Sequence, residues 1–439
     1  MMRTKMNSDK YKETEIGMIP EDWEIKSLDN ISLVLTDGSH FSPKEYVSGD
    51  KVIATVKDMR YNCFAFNDCK KISDEDFNNL VKNGCSPRHG DILISKDGAN
   101  CLDIIFVYTQ DREIVLLSSI AIVRLKEGYN PFFYRYYLLS QVAQNIMRDG
   151  YISGSAIPRV VLKDFKKIPV PIPPFKMQSA IAKILSDLDA KIELNQQMNK
   201  TLESISKSLF KQWFIDFEFQ NEEGKPYKSS GGEMVFNEEL EKEIPKGWKV
   251  KPIDEIADFL NGLALQKYPV KNEEECLPVI KIRELRQGIT DTSDKASINI
   301  PKQYIVQDGD VLFSWSGSLE VVLWSYGKGA LNQHLFKVTS STYPKWLYYY
   351  WITQYLPEYR QIAEGKATTM GHIQRHHLKD SLVCVPNNNT LLKMDKIFNP
   401  IIQEIVLVNV ESQSFSQLRD SLLPKLMSGK IRVPVEVTQ

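Results

Sequence analysis

"IPEDWEIKSLDNI", residues 19–31, returns 225 residues later as "IPKGWKVKPIDEI", residues 244–256. Ile, Pro, Trp, Lys, Asp and Ile are shared, six of the thirteen positions. The offset is close to half of a 439-residue chain. A chain of that length exceeds what one hydrophobic core supports, so the first reading is a duplication of one large unit.

Further landmarks recur in the same order. "LVLTDGSHFSPKEY" (33–46) matches "DFLNGLALQKYPV" (258–270), and "VIATVKDMR" (52–60) matches "VIKIRELRQG" (279–288). "GDILISKDGA" (90–99) matches "GDVLFSWSGS" (309–318), a Gly-Asp turn, an alternating strand and a second glycine. "LLSSIAIVRL" (116–125) aligns with "ALNQHLFKVT" (330–339), and "PFFYRYYLLS" (131–140) with "PKWLYYYWIT" (344–353). "SAIPRVVLKDFKKIPVPIP" (155–173) aligns with "TMGHIQRHHLKDSLVCVP" (369–386). The recurring Trp23, Trp248 and Tyr clusters suit shared core packing better than base stacking.

Each copy ends in a long amphipathic helix. In the first, Ile181, Leu185, Leu188, Ile192, Leu202, Ile205 and Leu209 fall three and four apart, with Asn195 and Met198 completing the seam. In the second, Met394, Ile397, Ile401, Ile405, Val408, Phe415, Leu418 and Leu422 repeat the design. An isolated helix with such a seam needs a partner, and each helix supplies one for the other. The resulting fold class is mixed α/β (α+β): two homologous globular domains separated by two long helices that form an antiparallel coiled coil. Asn195 reads equally as a register-setting polar residue or as a tolerated seam edge. The expected boundaries are a first head at 1–174, a central helix at 175–218, a Gly/Ser-rich charged linker at 219–243, a second head at 244–387, a C-terminal helix at 388–431 and a tail at 432–439.

Composition narrows the class. Hydrophobic content of 42% and charged content of 25% are those of an ordinary folded protein. No run reaches the ~18 apolar residues of a membrane helix, and the chain is expected in the cytosol without membrane contact. Six cysteines lack any C-x-x-C pair and read as free thiols in a reducing compartment. A net charge of −1 leaves nucleic-acid binding open, because phosphate binding depends on local clustering.

Catalytic patterns are missing. Neither a P-loop nor a G-x-G-x-x-G loop occurs. His372 and His376 stand four apart without the Glu of a zincin, so a polar or DNA-facing role is preferred over a metal site. "PIPPF" (171–175) resembles the Asn/Asp-Pro-Pro-Tyr/Phe motif of adenine methyltransferases, but Ile172 sits where an acceptor is required. A proline-stiffened join is the better reading. Two heads without chemistry, held apart by long helices, have the geometry of a ruler. A helix of ~38 residues spans roughly 57 Å, or about 17 base pairs of duplex.

Taken together, the paired "IPEDW" and "IPKGW", "TDGSH", "GDILIS" and "GDVLFS", "LNQHLFKV", "IPVPIPPFKMQSAIAKIL", "WFIDFEF", "GKPYKSSGGEM" and "LLPKLMSGKI" resemble the specificity (S) subunit of type I restriction-modification systems over essentially the whole chain. The resemblance implies two target-recognition domains, each reading one half of a bipartite, asymmetric site in double-stranded DNA. It also implies two modification (methyltransferase) subunits docked on the helices, and restriction (translocase/nuclease) subunits. S-adenosylmethionine, ATP and Mg²⁺ would then belong to those partners, with no cofactor, metal or catalytic residue in this chain. The rival readings are a self-contained methyltransferase or nuclease of a related system, and a coiled-coil scaffold that never touches DNA. Divergence at the helix starts, "VPIPPFKMQ" against "VCVPNNNTLLKM", bears on how symmetrically the modification subunits dock.

Donor chemistry selects candidate DNA contacts in equivalent loops. They are Thr36, Ser39, His40, Lys57, Arg60, Ser95, Lys96, Ser153, Ser155 and Arg159 in the first head. In the second they are Gln266, Lys267, Arg283, Arg286, Gln287, Ser314, Trp315, Ser316, Thr368, Thr369, His372 and Arg375. For each of them a solvated surface charge or a turn-capping hydroxyl is the competing reading.

Overall fold

The repeated Trp motif supplies one strand of a ribbon whose other strand is the last of the same head. Glu24–Ser27 pairs antiparallel with Pro169–Ile172, and Lys249–Pro252 with Leu382–Val385. Each head therefore closes where it opens, and the chain passes almost at once into a long helix, Phe175–Phe210 or Asn388–Met427. Two-stranded ribbons tolerate the prolines of "IPVPIP", whose missing N–H groups can face outward. Ile172 stands opposite Glu24 in that ribbon, as a structural joint should.

The computed structural model describes residues 10–46, 48–153, 158–271, 275–365 and 371–434. It divides into two compact units, Met1–Ala190 with Ser416–Gln439, and Lys191–Phe415. Within the first unit a four-stranded antiparallel sheet has the order Ser32–Asp37, Ile120–Leu125, Ile92–Ser95, Ile105–Val107. The second unit repeats it with Asp258–Asn261, Leu335–Thr339, Val311–Ser314, Val321–Leu323. A second sheet in each head contains one parallel pair, Lys51–Ala54 with Val115–Leu116 and Cys276–Ile280 with Gly329–Leu331. The cores are apolar and aromatic, with Trp23, Phe133 and Tyr134 buried in one unit and Trp248, Trp346 and Phe398 in the other.

Strand pairing corrects the sequence alignment by one residue in two places. Ala121 lies opposite Ile94 and Asp37, as Phe336 lies opposite Phe313 and Asn261. The parallel pairs Ile53–Val115 and Val279–Ala330 give the same shift. Residues 116–125 thus match 331–340, and Ile53, not Val52, matches Val279. A one-residue slip exchanges the two faces of a strand, so the correction decides which side chains are compared.

The stretch read as a linker is structured. Met234–Asn237 and Lys242–Pro245 form a hairpin, the counterpart of Tyr11–Thr14 with Gly17–Pro20. Phe219 stacks on Tyr227 at 4.6 Å and on Trp248 at 5.1 Å. Burial of these rings outweighs the Gly, Ser and charge of the surrounding sequence. In the first unit the chain after the C-terminal helix takes the corresponding place against Trp23. Gly429 adopts φ +68°, and a Cβ there would meet Pro20 Cγ at 2.5 Å, so glycine is required on both counts.

The two long helices run antiparallel. In the second unit Asn195 donates to Glu411 at 2.8 Å and Asn199 to Asn409 at 2.6 Å. The seam departs from its expected course. Ile181, Leu185 and Ile192 are buried as expected, Leu188, Leu202 and Leu209 are half-buried, and Ile205 is 52% exposed. Asn199 and Ser206 occupy the buried positions instead of Met198 and Ile205. On the other helix Ile405 and Val408 are buried, and Ile401, Phe415 and Leu422 half-buried. Ile397 and Leu418 are 40% and 46% exposed, with Phe398 buried beside the former. The middle of this seam is polar, so an apolar-only pattern drifts off it. Asn195 is buried and hydrogen-bonded across the pair, which favours the register-setting reading.

In the first unit the helix pair is tied to its head through Asp189. Its carboxylate accepts from Tyr136 at 2.6 Å, Arg419 at 2.8 Å and Arg135 at 3.1 Å, with the Tyr61 hydroxyl at 3.2 Å. Burial alone would raise the Asp189 pKa, but the hydrogen bonds from Tyr136 and Arg419 and the Arg135 charge hold it below the usual carboxylate range. Burial pushes the Cys69 thiol up to about 12 and Cys384 up to about 11, so neither is a ready nucleophile at neutral pH. Among the described residues no helix is long and apolar enough to cross a membrane.

Candidate nucleic-acid interface

Equivalent strand ends in the two heads share a backbone frame. Ser95 and Ser314, both candidate contacts, are fully buried and staple the loop that follows them. The Ser95 hydroxyl donates to Asn100 O at 2.7 Å and accepts from Ile104 N at 3.1 Å. Ser314 donates to Ser318 O at 2.8 Å and accepts from Glu320 N at 2.7 Å. Their role is structural, and the DNA-facing reading is withdrawn for both. Ser39 is likewise buried, bridging the carbonyl and amide of Phe41 at 2.7 and 3.1 Å. Thr36 is half-buried on the strand before it.

Around this frame the side chains diverge. In the first head Lys96 is buried, its Nζ 3.3 Å from Asp37 and 3.5 Å from Asp97. It supports its neighbours and does not reach outward. Asp97 is bridged by backbone pairing to Arg159 and accepts from its guanidinium at 2.9 and 3.3 Å. His40, exposed, lies 3.4 Å from Asp37. The second head places Asn261, Trp315, Ser316 and His372 where the first has Asp37, Lys96, Asp97 and Arg159. Trp315 Nε1 donates to Asn261 at 3.0 Å. Ser316 is buried, with its hydroxyl 3.1 Å from His334 Nδ1. Arg375 is exposed, donates to Phe259 O at 3.3 Å and lies over the Phe336 ring.

A second feature is common to both heads. After the parallel strand the chain turns, and a buried acid caps the turn: Asp58 accepts from Thr55 N at 2.7 Å, Glu284 from Lys281 N at 3.1 Å. Burial opposes the charge of Glu284, but hydrogen bonds from Arg283, the Lys281 amide and Ser293 hold its pKa below normal. The turns present Lys57 and Arg60 in one head, Arg283 and Arg286 in the other, all exposed. Arg60 pairs with Asp68 at 2.8 Å and Arg286 with Glu320 at 2.6 Å.

Gln266, Lys267 and Gln287 are exposed. Ser155, Thr368 and Thr369 lie outside the described residues, as does the side chain of Ser153. His372 precedes the helix Arg375–Asp380, so it does not share a helical face with His376, whose ring packs on His377 at 3.9 Å. No group of three potential metal ligands occurs among the described residues.

Sequence reasoning missed Asp37, Asp97, Asn261 and His334. A list of donors for phosphate and base leaves out acids. Comparing strand ends in the correct register would have found all four.

The two heads on one backbone plan, joined by antiparallel helices, place the chain among modular recognition proteins. The model of the type I restriction modification DNA specificity domain matches twice, at residues 20–204 and 245–410, and the chain belongs to that family. It is 28% identical to the type I restriction enzyme MjaIX specificity subunit of Methanocaldococcus jannaschii, over 96% of each chain. It is 22% identical to the MjaVIII specificity subunit of the same organism, again over 96% of each. The solved S subunit from M. genitalium shares the fold, with a TM-score of 0.58 at 15% identity, covering 96% of this chain and 98% of that one. This chain is a DNA-target recognition subunit of a type I restriction-modification system.

Proposed function

We propose that each head reads one half of a bipartite, asymmetric duplex site, and that the helix pair docks modification subunits and sets the gap between the halves. The observation that carries this reading is the contrast between the heads: one backbone frame, with ionic side chains at one set of strand ends and an aromatic, imidazole-bearing set at the other. Two heads reading the same bases would have no use for that difference. The charges common to both heads, Lys57 and Arg60, Arg283 and Arg286, suit the phosphates, which every sequence offers alike. S-adenosylmethionine, ATP and Mg²⁺ would be held by the partner subunits, whose complex would methylate adenine.

Mapping methylated adenines in DNA from cells that carry this chain with its modification subunit tests the proposal. The expected result is two different short motifs at a fixed separation. One contiguous palindrome would refute it.

A further inference from the structure

One strand of the second head ends in an amide that the fold has already oriented. Asn261 closes the strand Asp258–Asn261 and is exposed. Gly262 follows it, and a Cβ there would meet Asn332 O at 2.2 Å, so only glycine allows the close approach that fixes the backbone at this point. Gly262 N donates to Leu335 O at 3.0 Å, and Leu263 N to Leu331 O at 3.0 Å. The first head has the same arrangement at Asp37 and Gly38, where a Cβ would meet Leu116 O at 2.1 Å. One backbone position therefore carries an acid in one head and an amide in the other. Asp37 is spent on Lys96, at 9% side-chain exposure, whereas Asn261 faces solvent.

What fixes the amide is Trp315. Its Nε1 donates to Asn261 Oδ1 at 3.0 Å, and its ring lies against His334 and Phe336, with centroids 5.7 and 6.2 Å away. Indole can only donate, so the amide oxygen must face it, and turning the amide over would set N–H against N–H. Among the described residues Nδ2 has no hydrogen-bond partner, and Oδ1 keeps one of its two acceptor sites. A donor and an acceptor side by side match N7 and the N6 amino group of adenine in the major groove. Guanine carries an acceptor, O6, where adenine has that amino group, so an amide locked this way round rejects it. A phosphate offers acceptors only and would make no use of the lock.

We infer that Asn261 reads an adenine in the second head's half-site, with Trp315 as the positioning residue that sets adenine against guanine. This inference rests on the two-head reading above and adds a base identity to it. Trp315 acts through Asn261.

The test uses the complex of this chain with its modification subunits and duplex pools in which each half-site is randomised in turn, the other being held at its mapped sequence. Binding is read, and the methylated adenine is left out of the comparison, because a methyltransferase takes its target base out of the stack. The parent complex is expected to select adenine at a further position of one half. N261A is expected to lower that preference about 10–100-fold, leaving the other positions and the other half unchanged. N261D should move the choice there toward cytosine, whose N4 amino group donates to a carboxylate. W315F keeps the amide but frees it to turn over, so guanine should be accepted beside adenine at this position alone.

Unchanged selection by N261A overturns the inference, as does a parent with no adenine preference beyond the methylated base. Uniform loss of binding to every duplex by a variant that unfolds at the parent's temperature also overturns it, since that would mark a phosphate contact. N261S serves under the same criteria if N261A does not fold. Equal weakening at every position by W315F removes the positioning role of Trp315. If the parent complex shows no dependence on two separated halves, the two-head reading itself fails, which is a distinguishable result.

Discussion

Replacing Asp189 with alanine is expected to destabilise the first unit by about 3–5 kcal/mol, the usual cost of removing one partner from a buried ion pair. The size of the effect comes from what is left behind. Arg135 has 5% side-chain exposure and Arg419 20%, and both guanidinium groups donate to this carboxylate. Without it two cations face each other across the joint between head and helices, and the Tyr136 hydroxyl loses its 2.6 Å acceptor, keeping only Ser186 Oγ at 3.5 Å. For a unit of roughly 200 residues such a loss lowers the melting temperature by about 10 °C. Thermal unfolding of D189A measures it directly.

The same residue fixes the pH dependence. The Asp189 pKa is depressed in the folded chain, so the unfolded state binds more protons in the acid range. Its contribution to stability is complete above the unfolded value of about 4 and declines as pH falls toward and through the lower folded value. Acid unfolding of D189N should lack this component, giving a shallower decline below about pH 4 than the parent.

Loss of the four basic residues on the paired turns, K57A and R60A with R283A and R286A, is expected to weaken binding to all duplexes alike. If each contacts one phosphate, the slope of log affinity against log salt becomes shallower by about 3–4. The motif selected should not change, because phosphates carry no sequence. A variant with an altered motif and an unchanged salt slope would assign these side chains to bases. Measuring affinity across a salt series separates the two cases.

Duplication was visible in the sequence because it is written in core residues. Trp23 and Trp248 are both buried, and each stands in a motif whose neighbours must pair with the last strand of the head. The helices were visible for the same reason, through Ile181, Leu185 and Ile405. The seam was misread where it is polar. Asn199, Ser206 and Ser412 occupy buried places, while the better-looking Ile205, Ile397 and Leu418 face outward. The hairpin ahead of the second head was hidden by composition, since Gly, Ser and charge signal a linker until Phe219, Tyr227 and Trp248 are seen stacked.

At the interface, residue type was a poor guide to direction. Ser95 and Ser314 look like donors for DNA but are spent on loop backbone, and Lys96 is buried between two aspartates. The alignment of "GDILISKDGA" with "GDVLFSWSGS" already sets Lys96 against Trp315; what the sequence could not supply was the register that sets Asp37 against Asn261 and Arg159 against His372. That comparison separates what the heads share from what each reads.

The most direct test of independent reading is to exchange the part of the second head enclosed by its closing ribbon, residues 258–380, for the matching segment of another family member, and to map methylated adenines before and after. The account predicts that one half of the motif changes to the donor's, while the other half and the gap between them stay as they were. A change in both halves, or in neither, would contradict it.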